Sequence, residues 1–209
     1  MKQRVFNLII LDESGSMCSI KRQAIDGVNE TVQTIRAAQN KHTDQEHYVS
    51  LVTFNSSEVK YIYDKVASLR VEELTGQRYS PACGTPLYDA MGTALTGLRK
   101  FVADSDTVLV TIITDGYENA SREYNSHAIK ALVDELKGHG WVFTYIGANQ
   151  DVEKVAATIS VTNTLNFSAS VEGTQAIFAR EHQSRARFFD RLASHAPKQE
   201  LADDYFADN

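Results

Sequence analysis

Residues 5–16 read VFNLIILDESGS, and this stretch decides the fold. Its first part, Val5 to Leu11, is a nearly continuous apolar run, which is typical of a strand buried on both faces of a parallel sheet. The run ends at Asp12, where a polar loop with one glycine begins. Apolar residues at helical spacing follow after Cys18. The stretch therefore predicts a central strand, a loop and an amphipathic helix.

The alternation of strand and helix continues along the chain. A strand at 48–54 and a strand at 59–66 flank a short polar turn, which predicts an antiparallel hairpin at the sheet edge. Periodicity predicts further helices at 87–98, 128–136, 152–159 and from 171 onward, and further strands at 108–113, 142–146 and 164–167. We therefore expect an α/β, Rossmann-like, doubly wound fold with a mostly parallel six-stranded sheet, one antiparallel edge strand and helices on both faces.

The composition is that of one globular domain. The chain has 209 residues, of which 43% are hydrophobic and 23% charged, enough to bury a single core. Its net charge of -6 argues against a nucleic-acid partner, because no basic field would attract phosphates. No apolar run reaches the length of a membrane span, and the first run lacks a small-residue cleavage site. Two cysteines are too few for a disulfide framework, which favours a cytoplasmic location.

The C-terminal part carries two further expectations. Residues 1–195 are predicted to form the domain, and residues 196–209 an acidic, flexible tail. The arginines of the last helix are interspersed with acids, a pattern typical of a solvated, salt-bridged helix face. The residues of that pattern are Arg180, Glu181, Arg185, Arg187, Asp190 and Arg191.

Oxygen-bearing side chains stand in three loops that the fold should bring together. The loops read Asp12-Glu13-Ser14-Gly15-Ser16, Gly84-Thr85-Pro86 and Thr114-Asp115-Gly116. In open α/β sheets, ligands bind beyond the carboxyl ends of the strands, where the strand order reverses. Mg²⁺ collects carboxylates, hydroxyls and waters in an octahedral array. We therefore predict a site for Mg²⁺, with Mn²⁺ or Ca²⁺ as alternatives, formed by Asp12, Ser14, Ser16, Thr85 and Asp115.

These five residues resemble the metal-ion-dependent adhesion site of the von Willebrand factor A family. The resemblance covers about residues 5–190, and the phrases Gly84-Thr85-Pro86-Leu87-Tyr88 and Thr114-Asp115-Gly116 are similar to bacterial stand-alone members. It implies a von Willebrand A fold. It also implies that the three hydroxyls coordinate the cation directly or nearly so, while the two aspartates act largely through bound waters and hydrogen bonds. The sixth position would await a ligand.

The same resemblance implies cation-dependent protein binding without catalysis. A partner protein would present an Asp or Glu to the metal, and an ATPase or another multi-protein assembly is one expected source of that partner. A partner-binding rim is predicted around the metal, with Tyr117 as an aromatic contact and acidic residues that shape the local charge. The predicted rim residues are Glu13, Gly84, Tyr117 and Glu118.

Several alternatives stand beside the metal site. A metal-dependent phosphohydrolase of the haloacid-dehalogenase type is the alternative function, although the second aspartate of such sites is replaced here by Ser14. Ser16 or Ser19 could instead only cap the first helix. Cys18 and Cys83 each lie two residues from a predicted ligand. We expect them to be small buried thiols, with a redox switch as the alternative.

Overall fold

Helices and strands alternate along the chain as predicted. The computed structural model describes residues 2–148, 151–168, 170–197, 200–201 and 205–206. Strands are β1 Gln3–Asp12, β2 Gln45–Asn55, β3 Glu58–Ala67, β4 Thr107–Thr114, β5 Val142–Ala148 and β6 Asn163–Phe167. Helices are α1 Lys21–Lys41, α2 Leu87–Arg99, α3 Ser126–Gly138, α4 Val152–Thr158 and α5 Val171–Ala193, with short 3₁₀ helices at Gly15–Ile20 and Ser68–Arg70. Among these described helices, none has the length and apolar character needed to cross a bilayer.

The strands form a single six-stranded sheet in the order β3-β2-β1-β4-β5-β6. Among the strands of the described residues, only β2 and β3 pair antiparallel, and the other neighbours are parallel. The predicted fold class, with its mostly parallel sheet and one antiparallel edge strand, is confirmed. The chain adds strands to one side of β1 and later to the other, so the strand order reverses between β1 and β4. In that pair Leu11 lies beside Ile113, which brings the two following loops together.

Helices cover both faces of the sheet. Along β1, Val5, Ile9 and Leu11 pack into the core shared with α1 and α5. The alternate residues Phe6 and Ile10 pack into the core under α2, α3 and α4. Because successive side chains of a strand point to opposite faces, one apolar run serves both cores. This explains why the first strand reads as almost continuously apolar.

A buried ion pair fixes α5 on the sheet. Arg185 Nη2 lies 2.6 Å from Glu181 Oε1, and the side chains are 0% and 1% exposed. Arg185 also donates hydrogen bonds to Asn7 Oδ1 in β1, at 3.1 Å, and to Thr111 Oγ1 in β4, at 2.7 Å. The prediction of a solvated face is therefore wrong for these two charges. Their helix turns them toward the sheet, where each charge has polar partners that offset its burial.

The described residues beyond α5 fold back onto that helix. Arg180 Nη2 donates to the Phe206 carbonyl at 2.8 Å, and the Tyr205 hydroxyl donates to Glu181 Oε1 at 3.3 Å. Leu201, Tyr205 and Phe206 are buried in the core shared with α1 and α5. The acidic residues of the predicted flexible tail at 203, 204 and 208 lie outside the described residues. The boundary at 195 stays a prediction.

His47 makes the fold sensitive to acid. Its ring is fully buried in β2, and within the part of the chain that the structure describes its Nδ1 has no hydrogen-bond partner. Burial lowers the pKa of His47 to about 3, and repulsion from His42 and Arg185 adds to the effect. The unfolded chain, in contrast, binds this proton near pH 6.5. The contribution of neutral His47 to the free energy of unfolding is therefore complete above about pH 6.5. It decreases as the pH falls from there toward the pKa of His47 in the folded protein.

We expect His47→Gln to flatten the loss of stability in acid. For wild type, this single proton should cost up to about 1.4 kcal/mol for each pH unit below about 6.5. Urea unfolding at a series of pH values, for wild type and the variant, measures the difference in slope. The exposed His127→Gln is the control and should follow wild type. Equal slopes for wild type and His47→Gln would show that His47 does not resist protonation.

Candidate metal centre

The loop after β1 turns polar side chains inward. Asp12 and Ser14 are 0% and 1% exposed, and the Ser14 amide donates to Asp12 Oδ1 at 2.7 Å. Ser14 Oγ lies 3.1 Å from the hydroxyl of the exposed Ser16. The Tyr79 hydroxyl fixes the backbone of the loop by donating a hydrogen bond to the Asp12 carbonyl at 2.6 Å.

The residue at the N-cap of α1 is Ile20. Neither Ser16 nor Ser19 therefore caps that helix, and the capping alternative is wrong.

The loop after β4 joins the first loop through two hydrogen bonds. Ser16 Oγ donates to Asp115 Oδ1 at 2.5 Å, and Thr114 Oγ1 donates to Asp12 Oδ2 at 2.6 Å. Each aspartate is therefore tied to a hydroxyl of the other loop. Thr114 lies outside the set of five residues predicted from the sequence. Its place at the end of β4, next to the strand that ends in Asp12, was the available signal.

The three loops meet around Gly116. A Cβ placed on this glycine would lie 3.2 Å from Thr85 Oγ1, 3.4 Å from Ser16 Oγ and 3.9 Å from Asp12 Oδ2. Oxygens from three loops thus lie close to one another beside Gly116. Ser14 and Asp115 join this group through the Ser16 hydroxyl, so the five predicted residues form one cluster. Among the described residues, no group of three or more His, Cys, Asp or Glu is placed to hold a metal. A cation at this cluster would therefore depend on the hydroxyls.

The electrostatics of the cluster fit a cation. Burial raises the pKa of Asp12 to about 6, and repulsion from Asp115 adds to this, against the hydrogen bonds from Thr114 and Ser14. Burial also raises the pKa of Asp115, against the hydrogen bond from Ser16. A nearby positive charge would favour the ionised form of both carboxylates. The donors are hard oxygens of the kind that Mg²⁺ collects, so the residues present suit a small divalent cation.

The two acidic residues of the predicted rim accept hydrogen bonds from backbone amides. Glu13 is 5% exposed, and its carboxylate accepts a hydrogen bond from the Ser80 amide. Glu118 is half-buried and accepts from the Ser121 amide at 2.7 Å. Both carboxylates therefore help to hold the loop backbone in place, and their effect on the charge that a partner meets stays a prediction. Of the other predicted rim residues, Gly84 is half-buried and Tyr117 is 55% exposed.

The two cysteines lie at the surface of this region. Both are free thiols and both are exposed. Cys18 Sγ lies 3.4 Å from the Pro81 carbonyl, and Cys83 Sγ lies 3.4 Å from Ser57 Oγ. The expectation of buried thiols is wrong, because these side chains project from the outer side of their loops. The redox alternative stays a prediction.

Comparison with known proteins identifies the fold. No family model and no curated protein matches the sequence. The VWA domain of SpRpn10 aligns with a TM-score of 0.58 at 8% identity, covering 87% of this chain and 95% of that chain. The vWF domain of the type V pili tip protein Mfa5 from Porphyromonas gingivalis gives 0.54 at 11% identity, covering 93% and 95%. The chain has a von Willebrand A-like fold.

Larger proteins contain the same von Willebrand A-like fold. Proximal thread matrix protein 1 from the mussel byssus aligns with a TM-score of 0.63 at 13% identity, covering 88% of this chain. The PilB minor pilin from Streptococcus sanguinis gives 0.56 at 14% identity, covering 96% of this chain. The chain spans 47% and 63% of the lengths of these two proteins. Likeness at such identity shows the fold alone.

We expect Gly116→Ala to weaken cation binding while leaving the fold intact. The added methyl group would lie 3.2 Å from Thr85 Oγ1, which is a tight contact, and would occupy space beside Ser16 Oγ. The dissociation constant for Mn²⁺, measured by isothermal titration calorimetry, should rise on the order of tenfold, as for other residues that shape a metal site. Gly138→Ala is the control, because a Cβ there meets nothing within 4 Å. An unchanged affinity in Gly116→Ala would place any cation elsewhere.

Proposed function

We propose that the chain is a divalent-cation-dependent protein-binding module of the metal-ion-dependent adhesion type. Mg²⁺, replaceable by Mn²⁺ or Ca²⁺, would be held by the hydroxyls of Ser14, Ser16 and Thr85. The carboxylates of Asp12 and Asp115 would act largely through waters. The observation that carries this proposal is the convergence of oxygens from three loops around Gly116. The solved structures of similar fold include VWA domains, a pilus adhesin and a minor pilin, which supports a binding module.

A carboxylate from a partner protein is the ligand that suits this cation. Neutral hydroxyls are the direct donors in the proposal, so the ion retains attraction for an incoming Asp or Glu. Tyr117, beside the cluster in sequence and 55% exposed, offers an aromatic contact to the partner surface.

The setting of the interaction is part of the proposal. We expect the partner to be a protein of a multi-protein assembly, such as one built around an ATPase. The resemblance to von Willebrand A domains implies this kind of partner. Nucleic acid is a poor fit to a net charge of -6. Two free thiols suit a reducing compartment, so we propose a cytoplasmic location.

The geometry gives no support to the phosphohydrolase alternative. In that mechanism Asp12 would attack phosphorus, yet its side chain is fully buried. Both of its oxygens accept hydrogen bonds, from the Ser14 amide at 2.7 Å and from Thr114 Oγ1 at 2.6 Å. Ser14 also stands where a second acid would be needed to protonate the leaving group. We therefore propose that the site binds without breaking a bond.

Cation binding and carboxylate binding can be measured without the natural partner. Mn²⁺ titration, followed by water-proton relaxation, reports both the bound ion and its waters. We expect wild type to bind Mn²⁺ in competition with Mg²⁺, and acetate to displace water from the bound ion. Thr85→Ala should weaken Mn²⁺ binding on the order of tenfold or more, because a direct donor is lost. Thr93→Ala, at an exposed position of α2, is the matched control and should bind as wild type.

Two outcomes would contradict the proposed function. The first is a wild-type chain that binds neither Mn²⁺ nor Mg²⁺ under these conditions. The second is hydrolysis of p-nitrophenyl phosphate that requires the cation and is abolished by Asp12→Ala, which would make the chain an enzyme. Cation binding without hydrolysis, lost in Thr85→Ala, is the result that the proposal predicts.

A further inference from the structure

Asn119 holds the backbone of Thr85 on both sides. The Thr85 amide donates to Asn119 Oδ1 at 2.9 Å, and the Asn119 amide donates to the Thr85 carbonyl at 3.1 Å. Thr85 is 3% exposed, so its backbone groups have little access to water. The threonine that projects its hydroxyl toward Gly116 is thus fixed by a residue four positions beyond Asp115 in the chain.

The same loop caps the first turn of α2. Pro86 stands at the N-cap of this helix and has no polar side chain to offer its free amides. Instead, the Tyr88 amide donates to Glu118 Oε2 at 3.0 Å, and the Asp89 amide donates to Ser121 Oγ at 3.1 Å. The loop after β4 therefore supplies caps that the helix lacks.

Asp89, in the first turn of α2, forms hydrogen bonds back to the loop after β4. Its carboxylate accepts hydrogen bonds from three successive loop amides, at 2.8 Å, 2.9 Å and 2.8 Å. The donors are Arg122, Glu123 and Tyr124. Gly92, one turn further along α2, leaves the space that the Tyr124 ring fills, since a Cβ there would lie 2.5 Å from ring atoms. Loop and helix are interlocked in both directions.

Gly84 makes room for the Asn119 side chain. A Cβ on Gly84 would lie 2.9 Å from Asn119 Oδ1 and 3.3 Å from the Ala120 Cβ. The first distance is shorter than real Cβ contacts, so any larger residue at 84 would displace the amide. The glycine that the sequence assigned to the rim therefore has a role in seating Asn119.

We propose that Asn119 is the positioning residue of the metal centre, and that it sets the Thr85 hydroxyl relative to Asp115 before a cation arrives. The inference rests on the proposed function, because it takes Thr85 as a direct donor. Asn119 and Asp115 belong to one loop. Asn119 binds the backbone of Thr85, which lies in the loop before α2. These hydrogen bonds join the two loops, which would preorganise the site for the cation.

The test compares variants that keep or remove the acceptor at 119. Asn119→Ala should raise the Mn²⁺ dissociation constant on the order of tenfold, as loss of an outer contact does in metal sites. Asn119→Asp retains an oxygen for the Thr85 amide and should restore most of the affinity. Asn125→Ala is the matched control: Asn125 lies in the same loop and accepts from the Ala128 amide at 2.9 Å, without contact to Thr85. Its affinity should equal that of wild type.

A double-variant cycle adds a second readout. Gly84→Ala should weaken Mn²⁺ binding by displacing the Asn119 amide. In an Asn119→Ala background the displaced atom is gone, so Gly84→Ala should add little further loss. Additive losses would show that Gly84 and Asn119 act separately, which contradicts the seating role.

Hydrogen exchange of the Thr85 amide separates this inference from the proposed function. In cation-free protein, Asn119→Ala should speed exchange of that amide, while Asn125→Ala should not. If wild type binds no cation, the proposed function fails, and this exchange result alone decides whether Asn119 fixes Thr85. If wild type binds the cation and Asn119→Ala binds it equally well, the positioning role is overturned while the proposed function stands.

Discussion

The parallel pairing of β1 with β4 is the constraint on which the candidate centre depends. Leu11 lies beside Ile113 in that pair, so the loops that carry Asp12 and Asp115 leave the sheet side by side. The hydrogen bond from Thr114 Oγ1 to Asp12 Oδ2, at 2.6 Å, then locks the two strand ends together. Since the strand order reverses at this pair, the chain continues from the first loop to α1 on one face of the sheet and from the second loop to α3 on the other face.

The candidate centre brings two buried carboxylates into one cluster. Two carboxylates share a cluster with hydroxyls, and burial raises the pKa of both Asp12 and Asp115. Structural capping or turn formation would need fewer groups in one place, whereas a divalent cation would account for the whole set. Glu13 and Glu118, in the loops that carry Asp12 and Asp115, both accept hydrogen bonds from backbone amides.

The sequence was sufficient to predict the sheet, the helices and the clustering of five residues. Apolar runs reveal buried strands, and the ends of parallel strands must meet at one edge, so Asp12 and Asp115 followed from pattern alone. The hydrogen-bond partners of Glu118 and Asn119 could not be predicted from pattern, because these bonds join segments about thirty residues apart in the chain. Arg185 shows another limit: helical periodicity places charges on a face without saying whether that face is turned to water or to a sheet.

The proposed function therefore depends on one cation bound among hydroxyls from separate loops. Anomalous diffraction at the manganese edge, from crystals grown with Mn²⁺, tests it most directly. We expect a single strong peak within coordination reach of the hydroxyl oxygens of Ser14, Ser16 and Thr85. A peak only at another location, or an empty cluster at saturating Mn²⁺, would contradict the proposal.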